Sequence, residues 1–389
     1  MLVGVAIACE VIARAQTAIH AAPEQMTPVV ARALQAPTPF AGSDGHVHLV
    51  YELETTNFSS GEAILERLEI LDRASRSVVA DLDRAALASR LQPAGRRDTV
   101  ERLAPSMAAT LFLHVIVDDA EHVPDALAHR LTIRALAAPP DRQTITDVAA
   151  LVDVERRAVP VLDAPLAGGG YIAADACCDA TRHTRAVLPI DGALRVAQRF
   201  AVDWEQVDAE GRVYHGPREE VRSYAIYGKE ALAAADATVA SVLDGAPEQV
   251  PGTYPTGIEP AQADGNAVVL DLGHGAYALY THLQPGSIRV AAGQAVRRGD
   301  VLGLVGNTGN SVAPHLHFQV MDGPSPLASN GLPYVLRAFT ITGVAPSTAA
   351  FDEAEATGKP LEMRRVDPAT RHEAQMPLDL SIVAFDAAP

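Results

Sequence analysis

The segment 314–320 reads Pro-His-Leu-His-Phe-Gln-Val and sets two imidazoles one residue apart. On a strand, side chains alternate, so His315 and His317 project from one face while Leu316 and Phe318 turn to the core and fix the strand. The two rings then stand roughly 7 Å apart along the strand. At that spacing they can serve one metal site, one ligating the ion and the other facing its water.

Other features converge on the pair. Strands are expected over 267–272 and 276–283, joined as a hairpin by Gly273-His274-Gly275. The second ends in Tyr280-Thr281-His282-Leu283, with Tyr280 and His282 expected on one face, so a third imidazole arrives from a neighbouring strand. Between these segments, glycines at 293, 299, 303, 306 and 309 mark successive tight turns between strand pieces.

In this order, the YxHL segment, the glycine turns ending in Gly306-Asn307-Thr308-Gly309-Asn310-Ser311, and HLHF resemble the lysostaphin/LytM-type zinc metallopeptidases, over about residues 195–325. The resemblance implies that His317 is a zinc ligand, and that His282 and His315 are catalytic, assisting the attacking water or stabilising the intermediate. It also implies a zinc-dependent endopeptidase that hydrolyses peptide bonds of bacterial cell-wall peptidoglycan, with peptide stems or cross-bridges as substrate. Biotinyl and lipoyl carriers share the turn pattern, but they need a modifiable lysine there, and none occurs between Lys229 and Lys359.

The family also supplies a His-x-x-x-Asp segment in which both residues are ligands. Its counterpart here is Arg199-Phe200-Ala201-Val202-Asp203. Asp203 fits the aspartate, but Arg199 stands where the histidine belongs, and a guanidinium has no lone pair to offer a metal. His183 is the expected replacement and His215 the alternative. A third arrangement pairs Arg199 with Asp203 and leaves a catalytically degenerate relative that binds wall peptide or regulates another wall hydrolase.

The rest of the chain, 389 residues in all, favours two domains. Short alternating strands over 44–53, 63–71, 77–81, 109–118 and 130–137 suggest an immunoglobulin-like β-sandwich across 36–160, with 138–165 as a proline-marked connector. The fold class expected is mainly β: that sandwich, then an antiparallel β-roll or barrel-sandwich-hybrid peptidase-like domain over 165–345. Residues 1–35 read as a leader and 346–389 as a polar tail with one late strand near 378–385. The apolar start and the small residues at Ala15 and Ala21 suggest a shortened signal peptide and hence export to the periplasm, envelope or exterior, and Cys9 bears a faint likeness to a lipoprotein site. No apolar run reaches membrane-spanning length, and a net charge of −17 argues against nucleic acid as partner. The three cysteines, Cys9 and the adjacent Cys177 and Cys178, build no disulfide framework and read as thiols. His46 and His48 are expected to share a strand face as a weak metal candidate, and His274 to lie exposed at its hairpin tip.

Overall fold

The computed structural model describes residues 25–386. The leader and Cys9 lie outside the described residues, apart from the end of that segment. Among the described residues no helix is long and apolar enough to cross a membrane.

The first half is two antiparallel sheets packed over one core. One contains Val29–Ala33, Val47–Asn57, Ala108–Val117 and Leu91–Pro93, with Phe40–Ala41 paired to its second strand; the other runs Val78–Asp83, Ala63–Asp72, Ala126–Ala135, Thr144–Asp153. Leu49, Tyr51 and Leu53 meet Leu111, Leu113 and Val115 on one sheet, facing Leu68, Ile70, Leu127, Leu131 and Ile133 on the other. The period-2 pattern of the sequence is what buries them. The immunoglobulin type remains an expectation of the sequence. Two boundaries differ from the reading above. Val29–Ala33, inside the expected leader segment, pairs with residues 53–57. The expected connector holds Thr144–Asp153, an edge strand on Ala126–Ala135 whose alternating exposure was masked by the flanking prolines.

In the second half an eleven-stranded sheet runs in the order Val161–Leu162, Val335–Val344, Ser381–Phe385, Gly168–Ala174, Val202–Gln206, Leu316–Met321, Ala276–Leu283, Asn266–Gly273, Ala237–Leu243, Ala295–Val296, with Arg364–Gln375 paired beside Val335–Val344. The expected polar tail is therefore built into the fold. Ser381–Phe385 lies inside the sheet, between Val335–Val344 and Gly168–Ala174. The helix Thr348–Thr357 is capped by the Ser347 side chain and ended by Gly358 at φ 68°, and it buries Phe351 and Ala354. A side chain at Gly358 would meet the Tyr214 hydroxyl at 2.9 Å. Arg364–Gln375 is polar on both faces because it is an exposed ribbon, so it carries no hydrophobic alternation.

Val47–Asn57 is buried on both faces. Leu49, Tyr51 and Leu53 enter the sandwich core, while His48, Val50 and Glu52 face the second half. Val50 and Phe40 join the large C-terminal core, and Phe40 meets Phe200 edge-on at 5.4 Å. Glu52, 0% exposed, takes both arms of the Arg199 guanidinium at 2.8 and 2.6 Å, and Arg199 also donates to Gln35 Oε1 at 2.9 Å.

Two predictions follow from this packing. A buried ion pair costs most when only one partner is removed. Arg199→Ala should lower unfolding stability by about 3–5 kcal/mol, and the double change Arg199→Met with Glu52→Leu should recover most of that in denaturant unfolding; a loss below about 1 kcal/mol would show that the pair is not a buried staple. The second concerns His129, whose ring donates to the Ala150 carbonyl at 2.8 Å and lies 2.7 Å from the Tyr51 hydroxyl. Burial pushes it down from 6.5 to about 4. An unfolded histidine takes up its proton nearer 6.5, so this contribution is complete above that pH and is lost as pH falls towards 4, amounting to about 3 kcal/mol. His129→Gln should flatten that part of the stability–pH curve; an unchanged curve would refute the assignment.

Candidate metal centre

Asp203 and His317 come together through strand register. Asp203 lies on Val202–Gln206 and pairs directly with His317 on Leu316–Met321. Directly opposed residues in an antiparallel pair share a face, and His317 Nδ1 is 2.8 Å from Asp203 Oδ1. On the other side Asp203 pairs with Ala174, at the end of Gly168–Ala174. The chain then runs from Asp175 into the short helical turn Thr181–Thr184, and His183 folds back so that its Nε2 lies 3.3 Å from Asp203 Oδ2. Its ring meets that of His317 edge-on at 4.9 Å. One ligating atom each from His183, Asp203 and His317 lie within 4.8 Å of one another.

Arg199 takes no part. Its guanidinium is turned to Glu52 instead of Asp203, so the ion pair that would fill the centre is not formed. His215 is also elsewhere, bonded to Asp208 with its side chain 62% exposed. His274 is exposed at the hairpin tip.

His315 and His282 complete the cluster. His315 Nε2 is 3.4 Å from Asp203 Oδ1. His282 arrives by a route that strand alternation misses. Tyr280, two residues earlier, points into the core, where its ring packs on Phe318 at 5.1 Å and its hydroxyl accepts from the Ala234 amide. A regular strand would send His282 the same way. Instead His282 has φ 63°, a left-handed conformation uncommon for a non-glycine residue. That turn brings its ring to 4.6 Å from His315 and 6.0 Å from His317. The expectation that Tyr280 and His282 share a face is corrected accordingly.

Hydrogen bonds outside the cluster orient all four rings. His183 Nδ1 meets the Asp175 carbonyl at 2.9 Å, His282 Nδ1 the Thr308 carbonyl at 2.7 Å, and His315 Nδ1 the Ala313 carbonyl at 2.8 Å. His317 Nε2 meets Gln319 Oε1 at 2.9 Å. A carbonyl oxygen only accepts, so each of the first three rings carries its proton on Nδ1 and keeps Nε2 for the interior. His317 Nδ1 donates to the Asp203 carboxylate, which only accepts, so a metal bound there would have to replace that proton. Once deprotonated at the nitrogens facing Asp203, the two imidazoles and the carboxylate are a donor set suited to zinc, and the outer hydrogen bonds are of the kind that hold metal-binding histidines. The residues present therefore fit the ion that the sequence implies.

The groups of the centre hold protons between them, and a bound cation would take the place of those protons. Burial opposes ionisation of Asp203, but His183 and His315 hold it well below the ordinary carboxylate range. Burial alone would lower His183; the Asp203 carboxylate outweighs it and raises His183 to about 9. His315 rises by the same balance. Burial and the neighbouring His315 and His317 keep His282 well below its usual value, hence neutral.

The centre opens into a cleft of about 1010 Å³ that Glu205, Arg218, Asp352 and Glu355 also line. The sequence reading missed Glu205 and Glu355. Glu205 stands two residues beyond Asp203 on the same strand face, which was a usable signal. Burial and the charge of Glu355 push its carboxyl well above the ordinary range. Glu355 comes from the helix inside the expected tail, and nothing local in the sequence marks it.

Elsewhere, His48 is buried and His46 is exposed, because the strand begins at Val47 and the turn before it leaves His46 outside. The expected pair therefore does not share a face. Cys177 and Cys178 are joined by a disulfide. As neighbours they close no loop, so the expectation of two thiols fails while that of no cysteine framework stands.

Residues 223–329 match the model of peptidase family M23, a span that holds His282, His315 and His317 and begins after Asp203. The DD-carboxypeptidase/endopeptidase Mpg of Neisseria meningitidis serogroup B is 46% identical over 55 residues, 14% of this chain and 12% of its own length. The peptidoglycan DD-endopeptidase ShyA of Vibrio cholerae is 44% identical over 57 residues, 15% and 13% of the two lengths. The match thus spans about an eighth of the length of these relatives. Among solved structures, the lysostaphin catalytic domain of Staphylococcus simulans overlaps 42% of this chain and 86% of its own at 20% identity and a TM-score of 0.22. A match of that quality adds nothing to the sequence match. Within the second half of the chain, residues 223–329 are thus similar to peptidase family M23.

Proposed function

We propose that His183, Asp203 and His317 bind one zinc ion, and that the chain is a metalloendopeptidase cutting peptide stems or cross-bridges of peptidoglycan. The observation that carries this reading is that His183 supplies, from a different place in the chain, the imidazole missing at Arg199, with its Nε2 turned to Asp203. The names of the partial relatives support the substrate class. A wall substrate lies outside the cytoplasmic membrane, so the reading entails export.

Bound there, zinc would supply a Lewis acid and an acidified water. The protein does the rest. His315 accepts a proton at Nε2, and the imidazolium so formed is held by Asp203 on one side and by the Ala313 carbonyl on the other. The proton that His315 takes up is the one available to the leaving amine, while His282 stays neutral, fixed by Thr308, and keeps an Nε2 lone pair beside it. The cleft seats the peptide, and Glu205 and Glu355 line that seat.

Protein with its disulfide intact should take up about one zinc per chain. His183→Ala and His317→Ala should each weaken binding by more than the roughly 10–100-fold seen when only an outer-shell partner is lost. His315→Ala should keep zinc but lower release of fragments from labelled sacculi by about 10²–10⁴-fold. Zinc-free protein after loading, or unchanged affinity in His183→Ala, would overturn the reading and leave a peptide-binding relative.

A further inference from the structure

We propose that His48, His114 and Cys178 form a second metal site, taking a thiolate-binding divalent cation such as zinc once the Cys177–Cys178 disulfide is reduced. The site is separate from the candidate centre and shares no residue with it. His48 and His114 come from neighbouring strands of the N-terminal sandwich, and Cys178 comes from the loop that leads to His183. One ligating atom from each lies within 4.8 Å of the others. His48 Nδ1 is 2.8 Å from His114 Nε2 and 4.0 Å from Cys178 Sγ.

The outer nitrogens carry the argument. His48 Nε2 meets Asp44 Oδ1 at 2.9 Å, and His114 Nδ1 meets Asp179 Oδ2 at 3.0 Å. A carboxylate only accepts, so each imidazole carries its proton on the outer nitrogen. The two inner nitrogens then face each other across 2.8 Å, where they share one proton as an N–H···N hydrogen bond that a metal ion can displace. Two carboxylate–histidine pairs aimed at one point are the outer arrangement of a metal site. His48 is 1% exposed, and a Cβ at residue 42 would fall 2.4 Å from its Nε2, so Gly42 is what lets the ring seat there. Cys177, Cys178 and Asp179 line a cavity of about 570 Å³ through which a reductant and an ion can approach.

The redox step balances as thiol–disulfide exchange. A small dithiol attacks the Cys177–Cys178 bond and leaves as its own disulfide, delivering two electrons and two protons as two cysteine thiols. Binding of the cation then releases the Cys178 proton to solvent, because the thiolate is the ligand. Two imidazoles and one thiolate leave a fourth position for water.

The test is cobalt(II) titration of the full chain carrying Cys9→Ala and Cys177→Ser, in which Cys178 is the single thiol and no reductant is needed. The expected result is a sulfur-to-cobalt charge-transfer band in the near ultraviolet, absent when Cys178→Ser replaces Cys177→Ser. His114→Ala should weaken the affinity that band reports at least about tenfold, with circular dichroism unchanged. Wild type should give the band only after reduction with a phosphine. A folded Cys177→Ser variant without the band, an equal band in the Cys178→Ser variant, or unchanged affinity in His114→Ala would overturn the proposal. The candidate centre contains no sulfur, so its cobalt cannot give this band, and failure here leaves the peptidase reading untouched.

Discussion

One strand, Val47–Asn57, packs against both halves of the molecule and has no solvent face over its middle residues. One side obeys ordinary sandwich logic. The other presents a histidine, a valine and a glutamate in succession to the C-terminal domain, and the glutamate fixes the rest. A carboxylate with no exposure is tolerable only if paired and hydrogen-bonded. Glu52 finds that in Arg199, from the segment just ahead of the strand bearing Asp203. The residue that looks like a defect when only the metal motif is considered is thus the partner of a buried charge. With its guanidinium committed to Glu52 and Gln35, Arg199 leaves Asp203 to the histidines.

That commitment explains why a second ligating imidazole would have to come from elsewhere. A metal responds to the positions and charges of donor atoms, and their order in the chain is immaterial to it. The strand Gly168–Ala174 lies beside the Asp203 strand, so the loop leaving its end starts next to the centre. His183 needs only a short turn to reach it, and Asp175, the first residue of that loop, provides the carbonyl that orients its ring. The His183 tautomer and the position of Asp203 are therefore set by one pair of neighbouring strands.

The histidine pair at 315 and 317 was legible because strand periodicity is simple and Leu316 and Phe318 leave one way to seat it. The place of Arg199 was legible as a gap, and His183 as the imidazole expected near Asp203, since the stretch before Asp203 had to lie beside it. Other features were not legible, for local reasons. His282 obeys no alternation because its backbone is left-handed at the strand end. Glu355 belongs to a segment whose polar composition resembles a tail, yet its helix is held by Phe351 and Ala354 and its following ribbon by backbone pairing that any sequence can make. The destination of Arg199 depended on a residue 147 positions away, and nothing near Glu52 announces such a partner.

The loop from Asp175 to Thr184 joins these themes. One end carries Cys177 and Cys178 against His48 of the sandwich, and the other carries His183 against Asp203. Asp179, between them, is tied to Arg90 and His114 of the sandwich. His183 therefore stands on a segment held from both domains, since Ala176 donates to Asp379 and Arg182 pairs with Asp352 in the second half. An imidazole supplied within the Asp203 strand would be positioned by the sheet alone. One supplied from this loop is positioned by contacts to both domains, so loosening the sandwich from the second half would reach the candidate centre through His183.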